Sequence, residues 1–551
     1  MKRLFVSIVV AVGFSAPALI ATPSSSAGLS GKSATFAKEV APIFFKKCAE
    51  CHRPDESAPM SLLSYKDARP WAKSIREKVV GREMPPWHAD PQVGEFSNDR
   101  RLTQAEIDTI TAWVDGGAKE GDPKDLPPAP QFADGWGIGK PDIVLQMPEA
   151  YSLDGAGPDE YQLFDIPTKF TEDKYVQMAE ARPGNRKIVH HIIAVVLPPG
   201  APTLAQMKRE NKDKAIETSL KDTPFYREGS LTRTRPETPA YDNGAEIPAQ
   251  LRGSNGVDNF LTAYAPGRDP DIWEPGIVKK IPAGSSIRLE VHYSKVAGSA
   301  QQDRSLIGLV FAKDPPRRLM QSRVASNEFF KIPAGAENHK VTAVLPIPRD
   351  IRVYTLMPHM HLRGKAMEYT AIYPDGKSET LLRVPNYSFS WQTSYRLKVP
   401  KAIPRGSRIE IAGYFDNSAR NKFNPDPSKD VRYGEPTYDE MMMGLVEYVV
   451  EWPIVAKIDP KRYDDYVGRY EGGNNRYALV LKDGDRLLNL TVNGRKFELI
   501  RIGEDKFYMA DTEVEVTFLR NEKGEIIERQ VDVNGTVGRQ KKVKEPAAGG
   551  N

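Results

Sequence analysis

Five of the eight histidines in this chain fall in strand-like contexts whose spacing could bind a metal. His190 and His191 are adjacent, His292 follows Arg-Leu-Glu-Val, and His359 and His361 are two residues apart. Because side chains at i and i+2 of a strand point to the same face, the last two imidazoles would lie side by side. The alternative is five unrelated core or surface histidines. A doublet and a His-x-His pair in apolar, Val/Ile-rich strands favour a metal site over that alternative.

The residue types around these histidines bear on which metal is bound. Neutral imidazoles without clustered carboxylates or thiolates suit copper or zinc. Zinc usually takes Cys or Asp/Glu beside its histidines. Thioether sulfur favours Cu(I), and the run Asp439-Glu-Met-Met-Met443 offers three thioethers in succession. Core filling is the commoner role of methionine, so this run alone identifies no metal site.

The order of these motifs resembles the copper type II ascorbate-dependent monooxygenases, which include the peptidylglycine α-hydroxylating and dopamine β-monooxygenases. The motifs that carry the resemblance are His190-His191, His292, His359-x-His361 and Asp439-Glu440-Met441. The resemblance spans roughly residues 140 to 455. It implies two antiparallel, jelly-roll-like β-sandwich domains side by side, each with one copper ion.

The resemblance also implies the ligands of the two coppers. An electron-transfer copper would be bound by His190, His191 and His292. An oxygen-activating, catalytic copper would be bound by His359, His361 and Met441. The implied reaction is hydroxylation of an activated C–H bond of a small substrate by O2. Positions that hold the peptide in peptide-amidating members correspond here to Met357, Met443 and Leu445, whose apolar side chains favour a neutral or aromatic substrate.

The only two cysteines lie in Cys48-Ala-Glu-Cys51-His52, the attachment motif of a c-type haem. Both thiols would bond to the haem, and His52 would be the proximal iron ligand. A thioredoxin-like dithiol is the rival interpretation, but no βαβ pattern surrounds the motif. The amphipathic residues 36–47 before it predict a helix, and the motif predicts a small α-helical cytochrome c domain.

The sixth iron ligand is predicted to be Met84, which lies in a proline-rich loop where a small cytochrome c presents its axial methionine. Met60 and His88 are the rival ligands. Farther along, Thr103 and Glu106 form a capping box that predicts the start of a helix.

The chain divides by composition into seven segments. A basic start followed by an apolar run and small residues predicts a signal peptide, rather than a retained anchor, and hence a periplasmic or secreted protein. Alternating apolar residues between Asp-Gly and Asn-Gly turns near the C-terminus predict a small antiparallel β module. The predicted segments are the signal peptide at 1–27, the haem domain at 33–120, a Pro-rich linker at 121–136, the copper domains at 137–310 and 311–456, the β module at 462–540 and a tail at 541–551.

Composition narrows the partners. A net charge of +4 over 551 residues is too small to favour nucleic acid. No segment after the signal is long and apolar enough for an integral membrane span. The sequence thus predicts an exported monooxygenase with two copper ions and one covalently attached haem c. An external one-electron donor would feed the haem, or an ascorbate-like reductant would feed the coppers. The alternatives are a non-catalytic copper and haem electron carrier, and an oxidase or dehydrogenase that passes electrons outward to the haem.

Overall fold

The computed structural model describes most of the chain from residue 34 to residue 543. The described residues are 34–201, 204 and 259–543, apart from 55, 57, 133–134, 158, 296–297, 315, 435–436, 454–459, 474–476, 493, 511 and 534. The predicted signal peptide, and the predicted tail beyond residue 543, lie outside the described residues.

Short helices form the N-terminal segment. A π-helical turn, Phe36–Val40, continues into the first α-helix, and further 3-10 turns lie at Arg69–Trp71 and Pro123–Asp125. The α-helices are α1 (Ala41–Lys47), α2 (Tyr65–Ala68), α3 (Ala72–Val80) and α4 (Gln104–Asp115). The capping box of Thr103 and Glu106 begins α4, as the sequence predicts.

The predicted fold class, with its small α-helical cytochrome c domain, is wrong. The described chain is mostly β, and its four α-helices have only 7, 4, 9 and 12 residues. After α3 the chain leaves the helices: Trp87 and Phe96 are buried in the core of a β-sheet pair far along the sequence, and Phe96 bridges to Leu397. The short helices share a small apolar core that includes Phe44 and Trp113, but the chain between α3 and α4 packs into the sheets, so the segment is not a separate helical domain.

Two sheets share the first large core. One has the order β1-β11-β4-β8-β12 with β7 beside β4, the other has the order β3-β9-β5-β6, and β2 pairs with β10. Alternating apolar side chains of both sheets meet between them, among them Ile192, Leu289 and Ile307. The strands are β1 (Ile143–Gln146), β2 (Tyr151–Leu153), β3 (Glu160–Pro167), β4 (Lys174–Arg182), β5 (Val189–Leu197), β6 (Phe260–Tyr264), β7 (Asp271–Ile272), β8 (Ile277–Ile281), β9 (Ser286–Tyr293), β10 (Gln301–Asp303), β11 (Leu306–Phe311) and β12 (Arg318–Leu319).

A second pair of four-stranded sheets has the orders β13-β22-β16-β19 and β15-β20-β17-β18, with a short pair β14-β21. Its core includes Leu356, Tyr369 and Ile411. The strands are β13 (Gln321–Ser326), β14 (Lys331–Ile332), β15 (His339–Pro346), β16 (Ile351–His359), β17 (Gly364–Ile372), β18 (Ser378–Val384), β19 (Tyr395–Ile403), β20 (Arg408–Phe415), β21 (Val431–Arg432) and β22 (Met443–Val450).

The C-terminal region closes into an eight-stranded antiparallel barrel after a 3-10 turn at Pro460–Asp465. Closure removes the sheet edges that an open β module would expose. The barrel holds to the second sheet pair through a buried ion pair between Arg349 and Asp532, 3.0 Å apart. Its strands are β23 (Gly468–Glu471), β24 (Tyr477–Asp483), β25 (Arg486–Thr491), β26 (Lys496–Gly503), β27 (Lys506–Met509), β28 (Val514–Arg520), β29 (Ile526–Val533) and β30 (Thr536–Val543).

The two sheet pairs are joined by buried contacts. The ammonium of Lys279 on β8 lies 2.8 Å from the carboxylate of Glu447 on β22, and both side chains are almost fully buried. An apolar cluster beside this pair includes Phe260 and Leu445, with Met357 packed against it. Breaking a buried, hydrogen-bonded ion pair is costly, so the two sheet pairs hold a fixed relation. No helix within the described ranges is long and apolar enough to cross a membrane.

Candidate metal centres

The first histidine cluster lies where β5 and β9 are neighbours. His191 is the register partner of His292, and a β-bulge falls between Val189 and His191. In a regular strand the adjacent residues His190 and His191 would point to opposite faces. The bulge re-aims one of them, so both imidazoles turn toward His292.

The ring nitrogens of this cluster converge. The Nδ1 atom of His191 lies 3.3 Å from Nδ1 of His190 and 3.3 Å from Nδ1 of His292. Within the described ranges, these three residues are the one group of at least three His, Cys, Asp or Glu whose ligand atoms lie within 4.8 Å of one another. Imidazole nitrogens bound to one ion at about 2.0–2.1 Å, in tetrahedral geometry, would lie about 3.3 Å apart. The cluster therefore has the dimensions of a metal site.

The cluster is also electrostatically suited to a cation. Burial lowers the pKa of His190 to about 4, and His292 adds to the effect. Burial, followed by the neighbouring His292 and His190, holds the pKa of His191 well below its usual value. His190 and His191 are therefore neutral near pH 7, with ring nitrogens able to bind a metal.

A carboxylate orients the third histidine. The Nε2 atom of His292 lies 3.0 Å from the carboxylate of Asp159, and the ring of Tyr161 stacks on the same imidazole at 4.2 Å. Burial raises the pKa of Asp159, but its hydrogen bonds to His292 and Ser294 lower the pKa below its usual value. An ionised Asp159 accepts a hydrogen bond from the protonated Nε2 of His292, which turns Nδ1 toward the cluster. Carboxylates orient metal-binding histidines in the same way.

The second histidine pair lies at the end of β16. The strand ends at His359, and the rings of His359 and His361 lie 5.3 Å apart and nearly perpendicular. The Nδ1 atom of His359 lies 2.9 Å from the side-chain oxygen of Gln392, and Nδ1 of His361 lies 3.2 Å from the backbone oxygen of Asp439. These contacts fix the orientation of both rings, so a metal here would be bound at Nε2.

Met441 lies two residues before β22, the strand that pairs with the His359 end of β16. His359 faces Met443, and the ladder between β16 and β22 ends at this pair. The neighbouring Glu440 is fully buried, and its carboxylate accepts the backbone N–H groups of His361 and Arg363 at 2.8 and 2.6 Å. Burial nevertheless raises the pKa of Glu440 to about 8. These bonds tie the buried Met441 segment to the His-x-His turn.

One aromatic side chain contacts both histidine clusters. The ring of Phe389 stacks on His190 at 5.1 Å and 19°, and it meets the ring of His361 edge-on at 5.8 Å. Phe389 lies in the segment between β18 and β19 that also supplies Gln392 to His359. A single phenyl ring therefore contacts one histidine of each predicted centre.

The haem-attachment motif lies at the end of α1. The backbone carbonyl of Cys48 accepts the N–H groups of Cys51 and His52, and the two thiols are not joined to each other. Burial, with Cys51 nearby, raises the pKa of the Cys48 thiol to about 12. The Nδ1 atom of His52 lies 3.1 Å from the backbone oxygen of Met60, which directs Nε2 away from that loop.

The residues predicted for the sixth iron position occupy different surroundings. Met84 is half-buried after α3, where its backbone N–H donates to the carbonyl of Lys78. Burial lowers the pKa of His88, which lies in the part of this loop that packs against the second sheet pair. Met60 packs against the helical core, and its carbonyl lies beside the proximal imidazole. Met84 stays a prediction.

A cluster of ion pairs joins the loop after the Cys-x-x-Cys-His motif to residues shortly before the first histidine cluster. The carboxylate of Glu56, with only 12% of the side chain exposed, lies 3.0 Å from Arg53, 3.1 Å from Arg182 and 2.9 Å from Arg186. Arg186 is four residues before His190. The haem-attachment loop is thus held against the chain that enters β5.

Three residues that support the site escaped the sequence analysis. Asp159, Phe389 and Gln392 are distant in sequence from the histidines that they contact. No local motif marks them. Conversely, Met357 and Leu445, interpreted as substrate positions, pack in the apolar cluster between the two sheet pairs. Their apolar character is explained by that packing and gives no guide to the substrate.

Comparisons with family models and solved structures identify no function for this chain. No family model matches this chain. Among solved structures, it is similar to the major capsid protein P2 from bacteriophage PM2, with 11% identity and a TM-score of 0.21 over 56% of this chain and 97% of that one. It is also similar to the VP2 subviral particle of infectious bursal disease virus, with 8% identity and a TM-score of 0.14 over 57% of this chain and 81% of that one. Scores this low carry no argument about fold or function.

Proposed function

We propose that this protein is an exported copper-dependent monooxygenase that also carries a covalently attached haem. It would hydroxylate an activated C–H bond of a small substrate with O2. The observation that supports this proposal best is the convergence of three Nδ1 atoms, from His190, His191 and His292, at spacings of 3.3 Å around His191. A second, differently built pair, His359 and His361, includes an imidazole that contacts the same phenyl ring as the first cluster.

The donor sets fit copper. The first centre offers three imidazoles, and the carboxylate of Asp159 contacts the outer nitrogen of His292 and orients that ring. The second centre offers two imidazoles, and the buried Met441, whose neighbour Glu440 is hydrogen-bonded to the His361 backbone, would add a thioether. Imidazole with thioether sulfur suits copper in both oxidation states and favours Cu(I). Copper bound at the second centre would supply the one-electron chemistry that activates O2.

The protein residues orient the ligands and control protons. Asp159 holds the proton of His292 on Nε2, so that Nδ1 is available to the ion. Gln392 and the carbonyl of Asp439 perform the same task for His359 and His361 at their Nδ1 atoms. Three ligands at the second centre leave room for substrate and O2, which catalytic metal sites require.

Cys48, Cys51 and His52 fit a covalent haem, which would be held by a short helical segment docked on the β-sheets. Burial keeps Cys48 as a thiol, the form that adds to a haem vinyl group. The Glu56 cluster would hold this haem against the first histidine cluster, so electrons from an external donor would enter there. An ascorbate-like reductant that acts directly on the coppers is the alternative source of electrons.

The proposal is tested by oxygen-18 incorporation. Purified protein loaded with copper and haem is supplied with a reductant, ¹⁸O₂ and a panel of neutral, aromatic and peptide substrates. One ¹⁸O atom in a hydroxylated product is expected. Consumption of reductant with hydrogen peroxide as the sole product would show an oxidase, and electron transfer without O2 consumption would show an electron carrier. Either result would refute the proposal.

A further inference from the structure

We infer that Phe389 is a positioning residue whose ring bridges the two histidine clusters and forms the path for electrons between them. The inference rests on the proposed function, because it concerns two coppers. It adds that transfer between them crosses one aromatic ring, and that the ring must be aromatic to keep both imidazoles in place.

The ring contacts carry the inference. Phe389 lies parallel to His190, at 5.1 Å, and perpendicular to His361, at 5.8 Å. Offset-stacked and edge-on arrangements at these distances are the favourable geometries of aromatic pairs. A ring that makes both contacts links one imidazole of each cluster and favours one relative placement of the two.

The segment that carries Phe389 is anchored on the His-x-His turn. The hydroxyl of Tyr387 donates to the carbonyl of Met360, at 2.7 Å, and accepts the N–H of the same residue, at 3.1 Å. Gln392, which is buried, contacts His359. An added Cβ at Gly364 would lie 2.7 Å from Cβ of Met360 and 2.8 Å from the Tyr387 ring, so the turn needs glycine for this close approach. The segment therefore moves with the second centre.

Buried contacts join the two sheet pairs near this point. They are the Lys279–Glu447 ion pair and the apolar cluster around Phe260. These contacts and the anchored Tyr387–Gln392 segment favour one separation of the two clusters across Phe389. Copper held at the first centre would give one electron to copper held at the second, so that one ion would be oxidised as the other is reduced.

The test compares Phe389→Leu with Phe389→Tyr in the full-length protein, each loaded with copper. Phe389→Leu keeps an apolar side chain but loses the aromatic ring, whereas Phe389→Tyr keeps the ring. Copper content and the electron paramagnetic resonance (EPR) spectrum of the fully oxidised protein report the separation of the centres through dipolar broadening. Rapid freeze-quench EPR, after addition of one electron equivalent of ascorbate per chain, reports the rate at which the electron redistributes.

We expect the wild type and Phe389→Tyr to bind two coppers, to show dipolar broadening and to redistribute the electron rapidly. Phe389→Leu should bind two coppers but redistribute the electron about tenfold or more slowly, equivalent to about 1.4 kcal/mol of added barrier. Two coppers with an unchanged rate in Phe389→Leu would overturn this inference alone. A wild type that binds fewer than two coppers would overturn the proposed function along with it.

Discussion

The two histidine clusters differ in how they are built. The first gathers three imidazoles from two neighbouring strands, and His191 and His292 are 7% and 1% exposed. The second takes both imidazoles from the end of one strand, and its histidines depend on Gln392 and a backbone carbonyl for orientation. The first offers three imidazoles, whereas the second would combine its two imidazoles with the thioether of Met441.

This difference in donor type suits the two clusters to different tasks. Thioether sulfur favours Cu(I), the form that reacts with O2, whereas three imidazoles suit copper without a soft donor. Under the proposed function, O2 chemistry would take place at His359 and His361, and the first cluster would supply electrons.

The largest effect is expected from His191→Ala. His191 is the ring that both of the other imidazoles of the first cluster approach at 3.3 Å, so its loss should remove that copper. Metal analysis should find one copper per chain, and multiple-turnover hydroxylation should stop. His339→Ala is the matched control, because His339 lies on β15 outside both clusters, and it should keep both coppers. Two coppers in His191→Ala would show that the first centre is wrongly assigned.

Replacing the thioether should impair the second centre alone. Met441→Leu keeps the volume but removes the sulfur, so Cu(I) is less favoured there. We expect hydroxylation to fall by about 100-fold, by analogy with the loss of groups that support a metal, while the first copper keeps its EPR signal. Met442→Leu, in the core of the second sheet pair, is the control and should retain activity. Equal activity of the two variants would remove Met441 from the site.

A smaller effect is expected at the carboxylate of the first centre. Asp159→Asn keeps the shape but weakens the hydrogen bond that orients His292, so copper affinity at this centre should fall by about 10- to 100-fold. Competition with a copper chelator measures the change. Asp154→Asn, at an exposed position, is the control. An unchanged affinity in Asp159→Asn would mean that the carboxylate does not orient the ligand.

Acid should destabilise the metal-free protein through the first centre. Burial lowers the pKa of His190 to about 4 in the folded chain, below its ordinary 6.5. The unfolded chain therefore binds more protons between these values, and stability is lost as pH falls from about 6.5 to about 4, by up to about 1.4 kcal/mol per pH unit for this residue. Urea unfolding at pH 7 and pH 5 measures the loss.

The His190→Gln variant tests the origin of that loss. It should unfold with a weaker pH dependence than the wild type, because a group that takes up protons only on unfolding is gone. His339→Gln should keep the dependence of the wild type. A His190→Gln variant with the same pH dependence as the wild type would contradict the assigned burial effect.

The smallest effect is expected at the haem-attachment loop. Glu56→Gln removes the charge that pairs with Arg182 and Arg186, so the loop should pack less firmly against them. Electron transfer from haem to copper should slow by a few-fold, because such an ion pair contributes about 1 kcal/mol. Stopped-flow reoxidation of the reduced haem measures the rate. Glu83→Gln, which breaks the exposed pair with Lys78, is the control. Haem reoxidation that does not depend on copper would refute the relay.

The sequence predicted the grouping of three histidines better than it predicted the fold. Histidine type and spacing sufficed to single out His190, His191 and His292, which the structure brings together. The bulge that turns adjacent His190 and His191 to one side has no local signature, because it depends on pairing with β9. Phe389 and Asp159 join the site through folding of distant segments. The Cys-x-x-Cys-His motif predicted a separate helical domain. Trp87 and Phe96 instead pack in the core of the second sheet pair, and the motif holds no information about this long-range contact.

The most direct test of two unlike copper centres is metal analysis of the purified, oxidised full-length protein combined with EPR. The account predicts two coppers and one haem per chain, with two distinguishable Cu(II) signals, of which His191→Ala removes one and His361→Ala removes the other. One copper per chain, or a single signal that either substitution abolishes, would contradict it.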